Sequence, residues 1–316
     1  MVSFGSGSKL RSFYALLYRI HSVFKNTGVE KLLRRWPRAE RGIEQVKRLI
    51  RRDVWVQVQS GLSQGMWMQL RLPSEGVYWR GTHEPEVQNA ISVAMRPGTV
   101  LYDVGAHLGS IALGSARVVG ELGRVVAFDG DPENVLRLRE NASRNGLEDR
   151  LQVVHVAVWS CTQRDGITFR RGRTVRSQGG VEVDGIRPVA GSGEVIHVLT
   201  VTLDEFVAAG GPVPHLVKID VEGGENQVLR GGAKLFASER PLIIAEIHHQ
   251  QAAEQVSGWL EEYSYGSEWK TPPEGFPRYL FAWPYGYDGA GWMRDCAGAG
   301  RSEDGTLSPP QGLPEN

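Results

Sequence analysis

The chain of 316 residues has only two cysteines, Cys161 and Cys296, far apart and without the spacing of metal ligands. That excludes a disulfide framework and offers no zinc site, so a reducing cytosol is the expected compartment. There is no apolar run of about 18 residues, which excludes an ordinary membrane span. The apolar stretch from Phe13 to Ile20 is interrupted by Arg19 and followed by no small-residue cleavage site. An excess of charge is missing too: 36 basic and 36 acidic side chains cancel, so bulk electrostatics give no reason to expect a nucleic acid partner. The phosphate-binding pattern G-x-G-x-x-G is also absent, which counts against a nucleotide-dependent oxidoreductase.

The balance of charge conceals an asymmetry. Residues 1 to 60 hold thirteen Lys or Arg against four acids, a net +9. Residues 9 to 25 have the spacing of an amphipathic helix, with Leu10, Phe13, Leu17, Ile20 and Phe24 on one face, and a second basic helix is expected from Arg38 to Arg52. The first expectation is a helical extension packed on its own domain or on a second copy of the chain. A peripheral contact of residues 9–52 with anionic lipids is the alternative. The alternation of Val54, Val56 and Val58, then Met66, Met68 and Leu70, predicts a hairpin around Ser60 to Gly65. Beyond it apolar strands and helical patterns alternate: strand 100–103, helix 109–118, strand 124–129, helix 132–145, strand 151–158, strands 215–220 and 242–247, helix 252–262 and strand 279–282. That rhythm predicts an α/β fold with a doubly wound sheet, whose ligands sit at the carboxyl ends of the strands. Residues 166–200 break the rhythm and read as a hairpin or loop insertion, either beside the substrate or as a surface excursion.

The most informative stretch is Leu101-Tyr102-Asp103-Val104-Gly105-Ala106-His107-Leu108-Gly109. An apolar run ends in a carboxylate and two glycines and opens onto a helical pattern. Gly105 and Gly109 let the backbone turn sharply and approach a ligand, while the free N–H groups of the next helix face it. A carboxylate beside that turn repels phosphate, so a cofactor carrying a sulfonium or ammonium suits it better than a dinucleotide. S-adenosylmethionine is the expected cofactor. The next strand ends at Asp129, placed to accept hydrogen bonds from ribose hydroxyls. Asp131, before Pro132, fills the helix-capping role that would otherwise compete for it.

A third apolar run, Leu216 to Ile219, ends in Asp220-Val221-Glu222-Gly223-Gly224-Glu225. With it the chain resembles the FkbM family of S-adenosylmethionine-dependent methyltransferases over roughly residues 77 to 285. The linked motifs are Gly81 to Pro85, Asp103 to Gly109, Leu138 with Asn141 and Asn145, Thr202-Leu203-Asp204, Lys218 to Glu225, and Pro241 with Glu246 and His248. Two departures stand out: Asp129-Gly130 where the family usually has Glu-Pro, and Gly223-Gly224-Glu225 where it commonly has Gly-Ala-Glu.

The resemblance implies a Rossmann-like methyltransferase sheet at residues 100–287, and the residue patterns set a basic helical extension (1–53) and a hairpin and lid segment (54–99) before it and a Gly-, Pro-, Ser- and Asp-rich tail expected to be disordered (288–316) after it. The resemblance places Asp103, Asp129, Ala157, Asp220 and Glu246 at strand ends along one edge. Asp103 and Gly105, within the loop that runs through His107 to Gly109, would hold the methionine part. Asp129 would hold the ribose and Val156 to Val158 the adenine. Glu84, in a lid, would approach the sulfonium or the amine, and Asp220 and Glu222 would face the transferred methyl group.

A hydroxyl acceptor needs a base as the new bond forms. His248, two residues from Glu246 and so on the same strand face, is the first candidate, and Asp220 the second. Other readings stand beside these: a buried Lys218–Glu246 ion pair, Glu222 as a helix cap, His248 and His249 as mere strand-end residues, and Trp79 and Tyr102 as packing rather than cation-binding faces. No metal is expected, since Asp220 and Glu222 lack an evident third ligand. The expected reaction is O-methylation of a sugar hydroxyl in a glycan, glycolipid or secondary metabolite. Methylation at nitrogen or a carboxylate, or a non-catalytic role in a biosynthetic complex, is the alternative.

Overall fold

The computed structural model describes residues 52–72, 74–163, 165–170, 181–182, 194–272 and 275–299. The basic helices expected over 9–25 and 38–52 lie outside these residues, except that Arg52 opens a strand rather than closing a helix. The predicted hairpin is β1 (Arg52–Gln57) paired antiparallel with β2 (Trp67–Leu72). Two short helices follow, α1 (Gly76–Arg80) and α2 (Pro85–Ala94), and then the alternating core begins. It runs β3 (Val100–Val104), α3 (Ser110–Val118), β4 (Arg124–Asp129), α4 (Pro132–Arg144), β5 (Leu151–His155) and β6 (Ala157–Val158). Next come β7 (Ile167–Arg170), β8 (Val181–Glu182), β9 (Val195–Val198) and β10 (Thr200–Val201), followed by α5 (Leu203–Ala208), β11 (Leu216–Ile219), α6 (Glu225–Gly231), α7 (Ala233–Ser238) and β12 (Leu242–Ile247). The chain continues through α8 (Gln250–Glu262), β13 (Tyr265–Lys270), β14 (Arg278–Pro284) and α9 (Gly289–Ala299).

The main sheet has the order β13-β14-β12-β11-β3-β4-β5. Its five strands from β5 to β12 are parallel, and β14 and β13 add antiparallel pairs at one edge. Order reverses between β3 and β11, the kind of switch point that leaves a crevice at the strands' carboxyl ends. Strand periodicity divides the buried side chains between two faces. Leu101, Val125, Ala127, Leu216 and Ile244 pack with the hairpin, α2 and α3. Tyr102, Val126, Phe128, Val217, Ile219, Ile243 and Ala245 pack with α6, α7 and α8. By the same alternation Asp103, Lys218 and Glu246 point to the first face, under the hairpin and α1.

Three expectations are corrected. The strand expected over 151–158 breaks at Val156: β6 leaves the main sheet and pairs in parallel with β10, so Ala157 sits in a separate two-stranded sheet rather than on the main sheet's edge. Thr200, whose hydroxyl donates to the Cys161 carbonyl and accepts from Gln163 N, pins that excursion. The tail expected to be disordered from 288 forms a helix over Gly289–Ala299, and its remainder, 300–316, lies outside the described residues. Trp292, Met293 and Cys296 of α9 are buried in the main core, and Trp292 Nε1 donates to the Ala90 carbonyl of α2 at 3.1 Å. Three apolar residues at helical spacing outweigh the small-residue composition around them. Finally, β13 went unread because its alternation is weak, with Gly266, Ser267 and Glu268 in its middle. In the insertion, β7 lies between β8 and β9 in a small antiparallel sheet. No helix among the described residues is long and apolar enough to cross a membrane.

Candidate active site

The donor side is built by backbone geometry. Gly105 (φ 83°) and Gly109 (φ 84°) take left-handed conformations, and each is closely packed. A Cβ on Gly105 would lie 1.7 Å from the Asp220 carbonyl oxygen, and one on Gly109 would lie 2.0 Å from Leu138 Cδ1. Between them His107 is also left-handed (φ 51°), which turns its N–H toward Asp129 Oδ2 at 2.7 Å. The Asp131 N–H and the Asn134 amide donate to Asp129 as well, and Asp131 caps α4 as expected, accepting from Glu133 N. Asp129 is thus fixed and aimed, and burial lifts its pKa to about 7.

The Asn residues of α4 hold this loop to the hairpin. Asn141 accepts from Gln69 N and donates to the Leu108 carbonyl, while Asn145 accepts from Trp67 N and donates back to Trp67 O. Beside them Arg137 makes a two-pronged ion pair with Glu75 (2.9 and 2.6 Å), buried on both sides. The insertion reaches the donor side: a Cβ on Gly130 would come within 3.2 Å of the Phe169 ring. The departure at Gly130 therefore makes room for β7. Gly224 has a similar cause, since the alanine common in the family would put its Cβ 2.6 Å from Trp159 Cζ3.

Asp103 is fully buried. It pairs across the sheet with Lys218, whose Nζ lies 3.4 Å from Asp103 Oδ1, 3.5 Å from Asp220 Oδ2 and 3.4 Å from the Gly105 carbonyl. The expected Lys218–Glu246 ion pair is replaced by this bridge. Burial disfavours the ammonium, but Asp103 and Asp220 outweigh it and hold Lys218 charged. The aromatic candidates are packing: Trp79 is in the core, and Tyr102 is buried with its hydroxyl on the Pro212 carbonyl. Tyr78, which sequence reading missed, is an aromatic residue beside the loop. Its hydroxyl lies 3.1 Å from both His83 Nε2 and His107 Nδ1 and so links α1 to the donor loop. Burial keeps both imidazoles neutral, His107 down to about 4.

On the acceptor side β11 and β12 bring Asp220, Glu222, Glu246 and His248 together. His248 Nε2 lies 3.5 Å from Asp220, 3.4 Å from Glu222 and 4.0 Å from Glu246. Its Nδ1 is 2.7 Å from Oε1 of Glu225, a fully buried residue whose role the sequence did not suggest. Burial pulls this imidazole down, but the Glu225 hydrogen bond and the surrounding carboxylates raise its pKa to about 10. Glu246 is pushed up to about 10 by burial, by Asp220 and by a hydrogen bond to Glu84, which the chain places here in a left-handed conformation (φ 48°). Glu222 does not cap α6: the cap position is Gly224, and the Gly223 N–H goes to Glu225. It is instead a left-handed residue (φ 57°), its side chain 38% exposed at the mouth of the cluster, with burial raising its pKa to about 7. His249 caps α8 through Nδ1. Contrary to the sequence reading, a trio of potential metal ligands does assemble, from Asp220, Glu246 and His248.

This arrangement of a glycine-turned loop, a carboxylate held by three donors and a cluster of carboxylates around His248 coincides with a sequence match. The pattern of the methyltransferase FkbM domain covers residues 103–267, more than half of the chain. The chain belongs to the FkbM methyltransferase family, whose methyl donor is S-adenosylmethionine. Among curated relatives, the hexuronic acid methyltransferase AglP of Haloferax volcanii is 29% identical over 170 residues, which span 54% of this chain and 64% of AglP. The 31-O-demethyl-FK506 methyltransferase FkbM of Streptomyces tacrolimicus is 29% identical over 182 residues, 51% of this chain and 70% of that one. The chain thus spans less than two thirds of AglP. A solved FkbM methyltransferase from Methylobacillus flagellatus aligns with 66% of this chain and 57% of its own, at 15% identity and a TM-score of 0.43.

The residues present fit the donor. Gly105 and Gly109 let the loop turn tightly against Asp220 and Leu138. Asp129 retains acceptor capacity beyond its three donors.

Proposed function

We propose that the chain methylates a sugar hydroxyl, with a hexuronic-acid-containing glycan as the first acceptor to test. The observation that carries this reading is the acceptor-side cluster, a set of carboxylates at the mouth of which one, Glu222, stays half-exposed. A hydroxyl must lose its proton as its oxygen takes the methyl group, so it needs a basic group within reach. The names of two relatives, a hexuronic acid methyltransferase and a methyltransferase acting at the 31-O position of FK506, support the class of acceptor.

S-adenosylmethionine, when bound, supplies the electrophilic methyl group. Asp129 holds the ribose end through its fixed carboxylate, and the loop from Gly105 to Gly109 borders the methionine end. Glu84 lies beside the cluster, hydrogen-bonded to Glu246, and remains the lid carboxylate that would approach the sulfonium or the amine. His248 takes a different role from the one first expected. With Nδ1 on Glu225 and Nε2 facing three carboxylates, it already carries a proton and serves as a charged or ligating group rather than the base. Asp220 is committed to Lys218, which, with His248, outweighs burial and keeps its pKa low. Glu222 is left to take the hydroxyl proton, and the products are the methyl ether, S-adenosylhomocysteine and a protonated Glu222.

A carboxylate as the methylated group would have to set its oxygen against the like charge of Asp220 and Glu222, which favours ether over ester formation. The test is incubation of the purified protein with deuteromethyl S-adenosylmethionine and paired glycosides, with and without a hexuronic acid, read by mass spectrometry before and after mild alkali. An alkali-stable label on the sugar is expected. A label released by alkali would replace the reading with carboxyl methylation, and no label despite S-adenosylhomocysteine binding would remove sugars as the acceptor.

A further inference from the structure

The carboxylates of the acceptor side greatly outnumber the cations beside them. Asp103, Asp220, Glu222, Glu225, Glu246 and Glu84 converge on a largely buried centre whose neighbouring cations are Lys218 and His248. From the geometry of three of these groups we infer that Asp220, Glu246 and His248 bind a divalent metal ion. One ligand atom from each lies within 4.8 Å of the other two, so a small shift closes them around one ion.

Four observations support the site. Asp220 and Glu246 come from the carboxyl ends of adjacent parallel strands, where Ala245 is in register with Ile219, so the backbone sets their separation. The imidazole is oriented by a second carboxylate: Glu225 Oε1 accepts from Nδ1 and turns Nε2 to the cluster, the arrangement that fixes tautomer and direction in metal-bound histidines, and the incoming ion displaces the Nε2 proton to solvent. Glu84 adds an independent sign of a missing positive charge. Its side chain is 4% exposed, its carboxyl meets that of Glu246, and its Oε1 is buried without a hydrogen-bond partner. Finally, Lys218 cannot neutralise the trio, because it is shared between Asp103, Asp220 and the Gly105 carbonyl.

Two carboxylates and one imidazole suit a hard to borderline first-row ion such as Mn²⁺, with Mg²⁺ the harder competitor. Three protein ligands leave coordination positions open beside Glu222, where an acceptor's oxygens would enter. The site stands on this geometry and does not depend on which acceptor is methylated.

The test uses the full chain stripped with a chelator and titrated with Mn²⁺, the free ion being followed by electron paramagnetic resonance. One tightly held Mn²⁺ per chain is expected, and its electron spin echo should show modulation from a directly bound imidazole nitrogen. Glu246→Gln should abolish binding, and Glu225→Gln should weaken it about 10–100-fold, as loss of an orienting outer partner does. S-adenosylhomocysteine binding, carried by Asp129 rather than by the trio, should persist in both and shows that they fold. Failure of the wild type to retain Mn²⁺, retention without nitrogen modulation, or retention undiminished in a folded Glu246→Gln protein would each overturn the site.

Discussion

The two halves of the crevice solve opposite problems. On the donor side, at β3 and β4, the carboxylate that matters is satisfied by the chain itself: Asp129 receives two backbone N–H groups and one amide, all within five residues or from the facing loop. On the acceptor side, at β11 and β12, side chains face side chains, and Asp220, Glu222, Glu246 and Glu84 are held close without enough donors. A satisfied site binds with little reorganisation, whereas an unsatisfied one is poised to gain from a proton, a cation or a substrate hydroxyl. The difference teaches that binding and chemistry can be separated by mutation.

The largest separation is expected from Glu222→Gln. If Glu222 takes the hydroxyl proton, kcat should fall by about 10²–10⁴, the usual contribution of a positioned base. S-adenosylhomocysteine affinity should stay within about twofold, since the side chain lies away from Asp129. Calorimetry beside steady-state kinetics checks both, and an equal loss in the two would merge the halves.

Next comes the scaffold under the donor side. Arg137 and Glu75 are both buried, and breaking such a pair leaves an unpaired charge, worth about 3–5 kcal/mol. Glu75→Ala should therefore lower stability by that amount in urea unfolding. Because Arg137 also donates to the Gln69 carbonyl, the loss should loosen the hairpin as well, read as faster amide exchange across β2. Unchanged stability would show that α4 does not carry the hairpin.

Asp129→Asn follows, with an effect on binding alone. Replacing a charged acceptor by a neutral one should weaken S-adenosylhomocysteine about 10–100-fold, the value of one charge-assisted hydrogen bond. Its pH signature has a definite sign. With a pKa near 7, Asp129 is mostly protonated at pH 6 and mostly ionised at pH 8. Ribose hydroxyls donate to the ionised form, so affinity should rise about tenfold over that interval and level off above it. The unliganded protein should move the other way. A carboxyl raised above its unfolded value binds more protons when folded, so its share of stability is lost as pH rises from about 4 to about 7. Asp129→Asn should flatten both profiles.

Much of this could be read before the structure. The sheet was legible because β3, β4, β11 and β12 are short apolar runs that end in acid or glycine, and the turn at Gly105 announces itself by residue type. The membership of Asp220, Glu246 and His248 in one site was legible too, since strand periodicity fixes the face. Their roles were not. Which carboxylate Lys218 meets depends on strand order, β11 lying beside both β3 and β12, and order is not written in any local pattern. Tyr78 and Glu225 looked like ordinary helix residues because their partners are distant in sequence: His107 for one and His248 for the other. Trp292 was hidden for the same reason, by small neighbours that read as a tail.

The smallest effect concerns the Thr202-Leu203-Asp204 motif, which contributed to the family resemblance yet touches neither half of the crevice. Thr202 accepts from Glu205 N and caps α5, and Asp204 accepts from Lys234 N and Leu235 N at the start of α7. Leu203, fully buried, packs between them. The motif is therefore a joint between two helices, and its polar members contribute what caps contribute. Thr202→Ala should cost about 1 kcal/mol of stability, with kcat and donor affinity unchanged. A kinetic change in that variant would mean that α5 communicates with the site through β10 and Ala157, the residue the sequence had set beside the adenine.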